Sequence, residues 1–230
     1  MTTPSTQLPH RGRDVEEGRE LHHPWLDVLL GGQATREQLA ELALQLIALF
    51  DHLPRLYGPP FMTGADYKIR RMIVDRLLLE LELEDGTTMR VGEGAHAELA
   101  RQLARALGIS DDTAQSVQAS QELEDAADTL VATLFEPPYW VALGAAAKVE
   151  LEVAPLLARI GSSLRKDYGL DKAAAALFSA PSLFSVDNLE HGRGQVQSVF
   201  DEAKLRYYVE RVRDEWFDCW KPCLDAASQA

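Results

Sequence analysis

One glutamate of the sequence lies where a helical pattern requires an apolar side chain. Within Tyr139–Asp167, Glu150 shares a face with Leu143 and Leu157 when positions are counted at i, i+3 and i+4. A carboxylate in a buried stripe is costly unless it meets an arginine, a histidine or a metal ion. Glu150 is therefore either paired with an arginine from a neighbouring helix or a metal ligand.

A second acidic feature is the cluster of Glu80, Glu82 and Glu84 at the end of another predicted helix. Negative charge at this end of a helix is disfavoured by the helix dipole. Arg76, four residues before Glu80, can neutralise part of it. The cluster is either simply exposed or compensated by a further cation.

Two histidines complete the groups that could bind a metal. Asp187 and His191 stand four residues apart, which puts an oxygen and an imidazole on one helix face. The same spacing also suits an ordinary structural pair. His96 begins a helix after a glycine-rich loop and is either a surface or capping residue or a ligand. With Glu80 and Glu150, these residues compose the ligand set of a non-haem iron or manganese carboxylate site in a helical bundle.

The elements that would position these residues are almost entirely helical. Thr35 and Gln38 form the signature of a capping box at the start of one helix. Leu79–Glu84 (LELELE) alternates like a strand but continues a helical run, and we assign it to the helix. The pattern predicts a loose tail over residues 1–12 and a single all-α domain of seven to eight helices over residues 13–226.

Composition limits the classes of partner. The 230 residues include 36 acidic and 23 basic side chains, a net charge of −13, which argues against nucleic acid or an anionic membrane as a partner. No stretch is long and apolar enough to span a bilayer. Only two cysteines occur, so no disulfide framework is implied and a cytoplasmic location is favoured. Cys219 and Cys223 are interpreted as buried thiols rather than as a metal or redox pair.

Several short motifs occur in order at characteristic distances. They are His23-Pro24-Trp25 with Gly31-Gly32, RRMIVDRLLLE at Arg70–Glu80, HAELARQLARALGIS at His96–Ser110, and Glu150 standing 18 residues before Tyr168-Gly169-Leu170. In these motifs the sequence resembles the haem-oxygenase-like superfamily, specifically its non-haem di-iron oxidases and oxygenases. Members of that group include the chlamydial p-aminobenzoate-forming enzyme and alkene-forming, arginine N-oxygenating and nitrile-forming enzymes.

The resemblance implies a haem-oxygenase-like bundle that binds two Fe(II) ions and uses O2 as co-substrate. The implied metal ligands are Glu80, His96, Glu150, Asp187 and His191. The last motif departs from the family pattern, because Asp187, His191 and Gly194 stand where the family has His, Asp and His. One ion is therefore expected to be well held and the second to be labile.

The resemblance also implies a small substrate modified by N-oxygenation, C–C scission or nitrile formation. Arg76 could hold Glu80 or a substrate carboxylate bidentately, which favours an amino-acid-like substrate. His52, on the apolar second helix, could face the same pocket or belong to the core or its rim.

The sequence is also compatible with other functions. A metal-free enzyme of the same fold would resemble the pyrroloquinoline-quinone-forming oxidase or the thiaminase-like hydrolases. Haem binding through His22 or His23 is a further hypothesis, and a non-catalytic helical partner protein is another. A homodimer is compatible with each of them.

Overall fold

The computed structural model describes residues 22–64, 67–84, 88–91, 95–180 and 202–230. These ranges form ten α-helices, a two-stranded hairpin and one 3-10 helix at Ala176–Ser179. The helices and strands are α1 Pro24–Leu30, α2 Arg36–Asp51, α3 Leu53–Leu56, α4 Gly58–Thr63, α5 Tyr67–Glu80, β1 Leu81–Glu84, β2 Thr88–Val91, α6 His96–Ala106, α7 Asp111–Ser116, α8 Gln121–Phe135, α9 Tyr139–Lys166 and α10 Glu202–Gln229. Three of the helices, α3, α4 and α7, have six residues or fewer. The seven longer ones match the number predicted from the sequence.

The core of the bundle is built around α2 and α10. The predicted capping box is confirmed: the Thr35 hydroxyl accepts the Gln38 N–H at 3.2 Å, and the Gln38 side chain accepts the Thr35 N–H at 2.8 Å. The apolar face of α2 packs against α6 on one side and α10 on the other, while α10 also packs against α8 and α9. Leu46 and Ile47 of α2 are completely buried between these helices.

Helix α9, one of two helices with 28 residues in the described ranges, is anchored at its C-terminal end. Just beyond the helix, the Tyr168 hydroxyl donates to the Leu29 carbonyl at 2.8 Å and accepts the Ala34 N–H at 3.0 Å. Within the helix, Ser163 donates to the same Leu29 carbonyl at 3.1 Å. These bonds fix the end of α9 against the segment that follows α1. Burial raises the pKa of the Tyr168 hydroxyl, which therefore remains a hydrogen-bond donor.

The assignment of LELELE to a helix was wrong in its second half. Helix α5 ends at Glu80, and Leu81–Glu84 forms an antiparallel strand whose register pairs Leu81 with Val91 and Glu84 with Thr88. The period-two alternation was a real strand signal, and the intervening sequence contains Asp85-Gly86, a pair typical of hairpin turns. Pairing with a partner strand that begins four residues after Glu84 decided the structure over the helical run before it. In the described part of the chain, no helix is long and apolar enough to cross a membrane.

Candidate metal centre

Glu80 and His96 meet at the junction of α5 and α6. One oxygen of the Glu80 carboxylate, Oε2, accepts the backbone N–H of His96 at 3.0 Å. The other, Oε1, lies 2.8 Å from Nδ1 of the His96 ring. Because an ionised carboxylate only accepts hydrogen bonds, Nδ1 carries the proton in this contact. The Glu80 residue is buried, with 7% of its surface exposed.

The Glu80 carboxylate also acts as the N-terminal cap of α6. Ala95, at the N-cap position of that helix, offers no side-chain hydrogen bond, so Glu80 supplies one from the end of α5. A carboxylate at this end is favoured by the helix dipole. The contact fixes the tautomer of His96 and leaves its Nε2 with a lone pair. Carboxylates orient metal-binding histidines in the same way.

The His96 ring forms part of the wall of a cavity with a volume of about 420 Å³. Phe50 lies beside the ring, with centroids 5.5 Å apart, and Trp220 meets Phe50 edge-on at 6.3 Å. The remaining wall is mainly aliphatic and aromatic, with a few polar groups. The lining residues are Phe50, His96, Glu150, Val153, Ala154, Leu157, Ala158, Gly161, Ser162, Arg165, Lys172, Ala175, Leu177, Phe178, Ser179, Ala180, Trp216 and Trp220.

Glu150 enters the same cavity from α9. Its neighbour Glu152 points to another face, where it pairs with Arg213 at 2.6 Å and with Lys148 at 3.6 Å. The contact between Glu152 and Lys148 is an ordinary i, i+4 ion pair on the helix surface. Two glutamates of one helix turn have different environments, since Glu150 lines a cavity that contains an imidazole and Glu152 lies among surface cations.

The remaining predicted ligands, Asp187 and His191, and Gly194 beside them lie outside the described residues. In the described ranges, no three His, Cys, Asp or Glu side chains lie close enough together to hold an ion. What the fold brings together is the Glu80–His96 pair and, on the same cavity wall as His96, Glu150. An imidazole and carboxylates are donor types that suit Fe(II) or Mn(II), so these residues fit the implied metal by donor type, without forming a three-ligand cluster in the described ranges.

Comparison with known proteins identifies the family. The sequence profile of an iron-containing redox enzyme family matches residues 75–221, well over half of the chain. The chain belongs to this iron-containing redox enzyme family. The matched region includes Glu80, His96 and Glu150. No curated protein matches the chain significantly.

Solved structures show the same fold at low sequence identity. A domain of unknown function with a heme oxygenase-like fold from Shewanella denitrificans has a TM-score of 0.67 and 15% identity, over 90% of this chain and 84% of that one. A TenA homologue from P. horikoshii has a TM-score of 0.61 and 15% identity, over 90% and 91%. A CADD-like protein of unknown function from Nostoc punctiforme has a TM-score of 0.61 and 16% identity, over 88% and 87%. The predicted all-α, haem-oxygenase-like fold is confirmed.

In this member of the iron-containing redox enzyme family, one of the two predicted substrate residues, His52, does not line the cavity. His52, half-buried at the end of α2, accepts a hydrogen bond at Nδ1 from Arg55 Nη1 at 3.1 Å and is not a lining residue. Arg55 also pairs with Asp128. The side chain of Arg76 lies outside the described residues.

Among the described residues, four aromatic side chains line the cavity. They are Phe50, Phe178, Trp216 and Trp220. The Tyr168 ring instead anchors the end of α9 through the hydrogen bond to the Leu29 carbonyl. Trp216 and Trp220 stand four residues apart on α10, with ring centroids 6.4 Å apart. That i, i+4 spacing was the signal that the sequence offered for them.

The structure also bears on the thiols and the N-terminal histidines. Burial raises the pKa of Cys219 to about 12 and also raises that of Cys223, so both are protonated buried thiols, as predicted. His23 caps α1, where Nδ1 accepts the Trp25 N–H at 3.2 Å and Nε2 lies 2.8 Å from Asp225. Both nitrogens of the His23 ring are therefore engaged, which argues against this residue as a haem ligand. His22 is exposed.

Proposed function

We propose that this protein is an O2-dependent oxidase or oxygenase with a non-haem di-iron centre, acting on a small amino-acid-like substrate. The observation that supports this most is that His96, whose ring is held by Glu80, lines a mainly apolar cavity that Glu150 also lines. Membership of an iron-containing redox enzyme family agrees with it. N-oxygenation, C–C scission and nitrile formation are the reaction types proposed.

In this proposal each residue has a defined task. Glu80 holds the Nδ1 proton of His96 and so keeps Nε2 available as a ligand. Glu80 and Glu150 offer carboxylate oxygens, and Asp187 and His191 belong to the more weakly held second ion. When bound, ferrous iron supplies the electrons with which O2 is reduced.

In the proposal, the cavity provides the space and the apolar surroundings for the substrate. Its volume of about 420 Å³ lies within the range of pockets that bind small molecules, about 300–1,000 Å³. Phe178, Trp216 and Trp220 exclude water from the substrate and restrict its orientation. A cytoplasmic location and a small molecule as partner, without nucleic acid or membrane, belong to the same proposal.

Anaerobic titration with Fe(II), followed by exposure to O2 with candidate amino acids and amines, tests the proposal. We expect up to two ions per chain and substrate-dependent O2 consumption. Glu80→Ala, His96→Ala and Glu150→Ala should each lower the iron content and abolish O2 consumption. Glu152→Ala, two residues from Glu150 and outside the cavity, is the matched control and should behave as the wild type.

Absence of bound iron in the wild type, or equal iron in wild type and all three variants, would exclude this function. The metal-free alternative would then gain support, since Gly194 stands where the resemblance expects a histidine. Its thiaminase-like form needs a thiol nucleophile in the cavity, and neither Cys219 nor Cys223 is a lining residue.

A further inference from the structure

The wall that α9 gives to the cavity runs from an acidic to a basic end. Glu150 and Arg165 both line the cavity and lie fifteen residues apart on the same helix. At about 1.5 Å per residue, this is about 22 Å along the axis. Between them the helix presents small and aliphatic side chains at i, i+3 and i+4 spacing, namely Val153, Ala154, Leu157, Ala158 and Gly161.

The basic end of the cavity has more cations than carboxylates. Arg165 and Lys172 line the cavity and also an adjoining shallow pocket, which Lys166 and Asp171 share. Asp171 Oδ1 accepts the Ala174 N–H at 2.8 Å. Among the described residues, neither Arg165 nor Lys172 forms an ion pair, although acidic residues outnumber basic ones in the chain by 36 to 23.

A basic residue in the last turn of a helix has an ordinary structural explanation, because it complements the helix dipole. This explanation covers Arg165 and Lys166 equally, since both lie in the last turn of α9. It does not cover Lys172, which lies beyond the helix. It also does not explain why Arg165 and Lys172, but not Lys166, line the large cavity.

We propose that Arg165 and Lys172 form a subsite for the anionic head group of an elongated ligand, whose apolar body lies along α9 towards Glu150 and His96, and which is distinct from the small amino-acid-like substrate of the proposed function. The ligand is thus an elongated molecule with a carboxylate, or a comparable anion, at the end remote from the proposed metal. A guanidinium and an ammonium bind such a group through charge-assisted hydrogen bonds. Phe178, Trp216 and Trp220 contact the apolar body. The orientation relative to a metal rests on the proposed function, but the subsite itself does not.

Binding to the iron-free full-length protein tests the subsite directly. Isothermal titration with decanoate should show a complex, and decylamine, which has the same chain length and the opposite charge, should bind at least about tenfold more weakly. Arg165→Gln and Lys172→Gln should each weaken decanoate binding by about ten- to hundredfold, the effect of one charged hydrogen bond. Arg165→Lys should retain part of the affinity.

Lys166→Gln is the matched control, because it removes the same charge from the same helix turn but outside the large cavity. Equal affinities for decanoate and decylamine, or equal losses in Arg165→Gln and Lys166→Gln, would overturn the proposal. If inorganic phosphate bound as tightly as decanoate, the two cations would form a site for free anions, and the proposed contact of an apolar body with α9 would be refuted.

Because these titrations contain no iron, decanoate binding without any iron-dependent O2 consumption would refute the proposed function and leave the subsite standing. Iron-dependent O2 consumption by a protein that does not bind decanoate would refute the subsite and leave the proposed function standing.

Discussion

At the scale of single residues, Glu80 combines a structural and a proposed chemical role. Its carboxylate caps α6 and holds the His96 ring through two separate oxygens. The sequence marked both residues, through the helix start at His96 and the motif resemblance, but the contact between them is tertiary. Sixteen residues separate them, with a hairpin between. The cap was therefore missed, because the carboxylate that accepts the hydrogen bond does not come from the residues that immediately precede the helix.

Removal of this carboxylate should destabilise the protein even without iron. Glu80→Ala leaves the His96 N–H and Nδ1–H buried without an acceptor, so we expect a loss of about 1–3 kcal/mol in the free energy of unfolding. Glu98→Ala on the same helix breaks only the ion pair with Arg105 and should cost less than about 1 kcal/mol. Urea denaturation in the presence of a chelator measures both. Equal losses would show that Glu80 does not cap α6.

The buried thiols make a separate prediction about alkaline stability. Burial raises the pKa of Cys219 from 9.0 to about 12, so the folded state favours the neutral thiol. The stabilisation that this thiol contributes to the folded state is complete below about pH 9. It is lost as the pH rises towards about 12, because over this range the unfolded chain has released the thiol proton and the folded chain still holds it. Across this range the free energy of unfolding should fall by up to about 1.4 kcal/mol per pH unit for each such thiol.

Denaturant titrations of wild type and Cys219→Ala at a series of pH values check this prediction. The variant should be less stable at neutral pH, because it loses buried volume, but its stability should fall less steeply above pH 9. Thiol-reactive reagents should label the native wild type slowly at neutral pH. Rapid labelling, or parallel pH profiles for the two proteins, would contradict the burial of Cys219.

At the scale of elements, the helices that depend on neighbouring residues were predicted correctly from the sequence. The strand that depends on pairing with a partner strand was not. The capping box at Thr35 and the long helix α9 follow from neighbouring residues, and both are confirmed. The β1 strand was missed because its alternation follows a helix without a break, and only its pairing with β2 decides its state. The basic end of α9 was missed for a related reason. Arg165 and Lys172 become neighbours of a cavity only when the last turn of α9 and the segment beyond it are placed together.

The middle of α9 offers a test of how the cavity is used. Ala158 lines the cavity between Glu150 and Arg165, and a larger side chain there should divide it. Ala158→Phe should weaken decanoate binding by at least about tenfold while butyrate, which needs only the basic end, keeps its affinity. Ala126→Phe on α8 is unsuitable as a control because that residue packs on the core. Ala106→Phe, at the exposed end of α6, is preferable and should change neither affinity. Equal losses for the two carboxylates would show that the chain does not lie along α9.

At the scale of the whole molecule, the fold could be predicted and the full ligand set could not. Helical periodicity and motif order sufficed for an all-α, haem-oxygenase-like bundle, because these patterns repeat along most of the chain. The fold then places His96 and Glu150 on the wall of one cavity, with Glu80 hydrogen-bonded to His96. Asp187 and His191 lie outside the described residues, so their part in the site stays a prediction. A metal ion that joins them to Glu150 would link the stability of the entire bundle to iron.

This linkage gives a prediction for the whole protein. An ion that binds only the folded state at about a hundred times its dissociation constant adds about 2.7 kcal/mol to the free energy of unfolding. For a chain of 230 residues this corresponds to a rise of roughly 5–10 °C in Tm. Anaerobic thermal unfolding with and without Fe(II) should show the rise in wild type and in Glu152→Ala. Glu150→Ala and His96→Ala should show little or none. A rise of the same size in all four proteins would mean that iron binds elsewhere, and no rise in any of them would mean that the folded chain does not bind it.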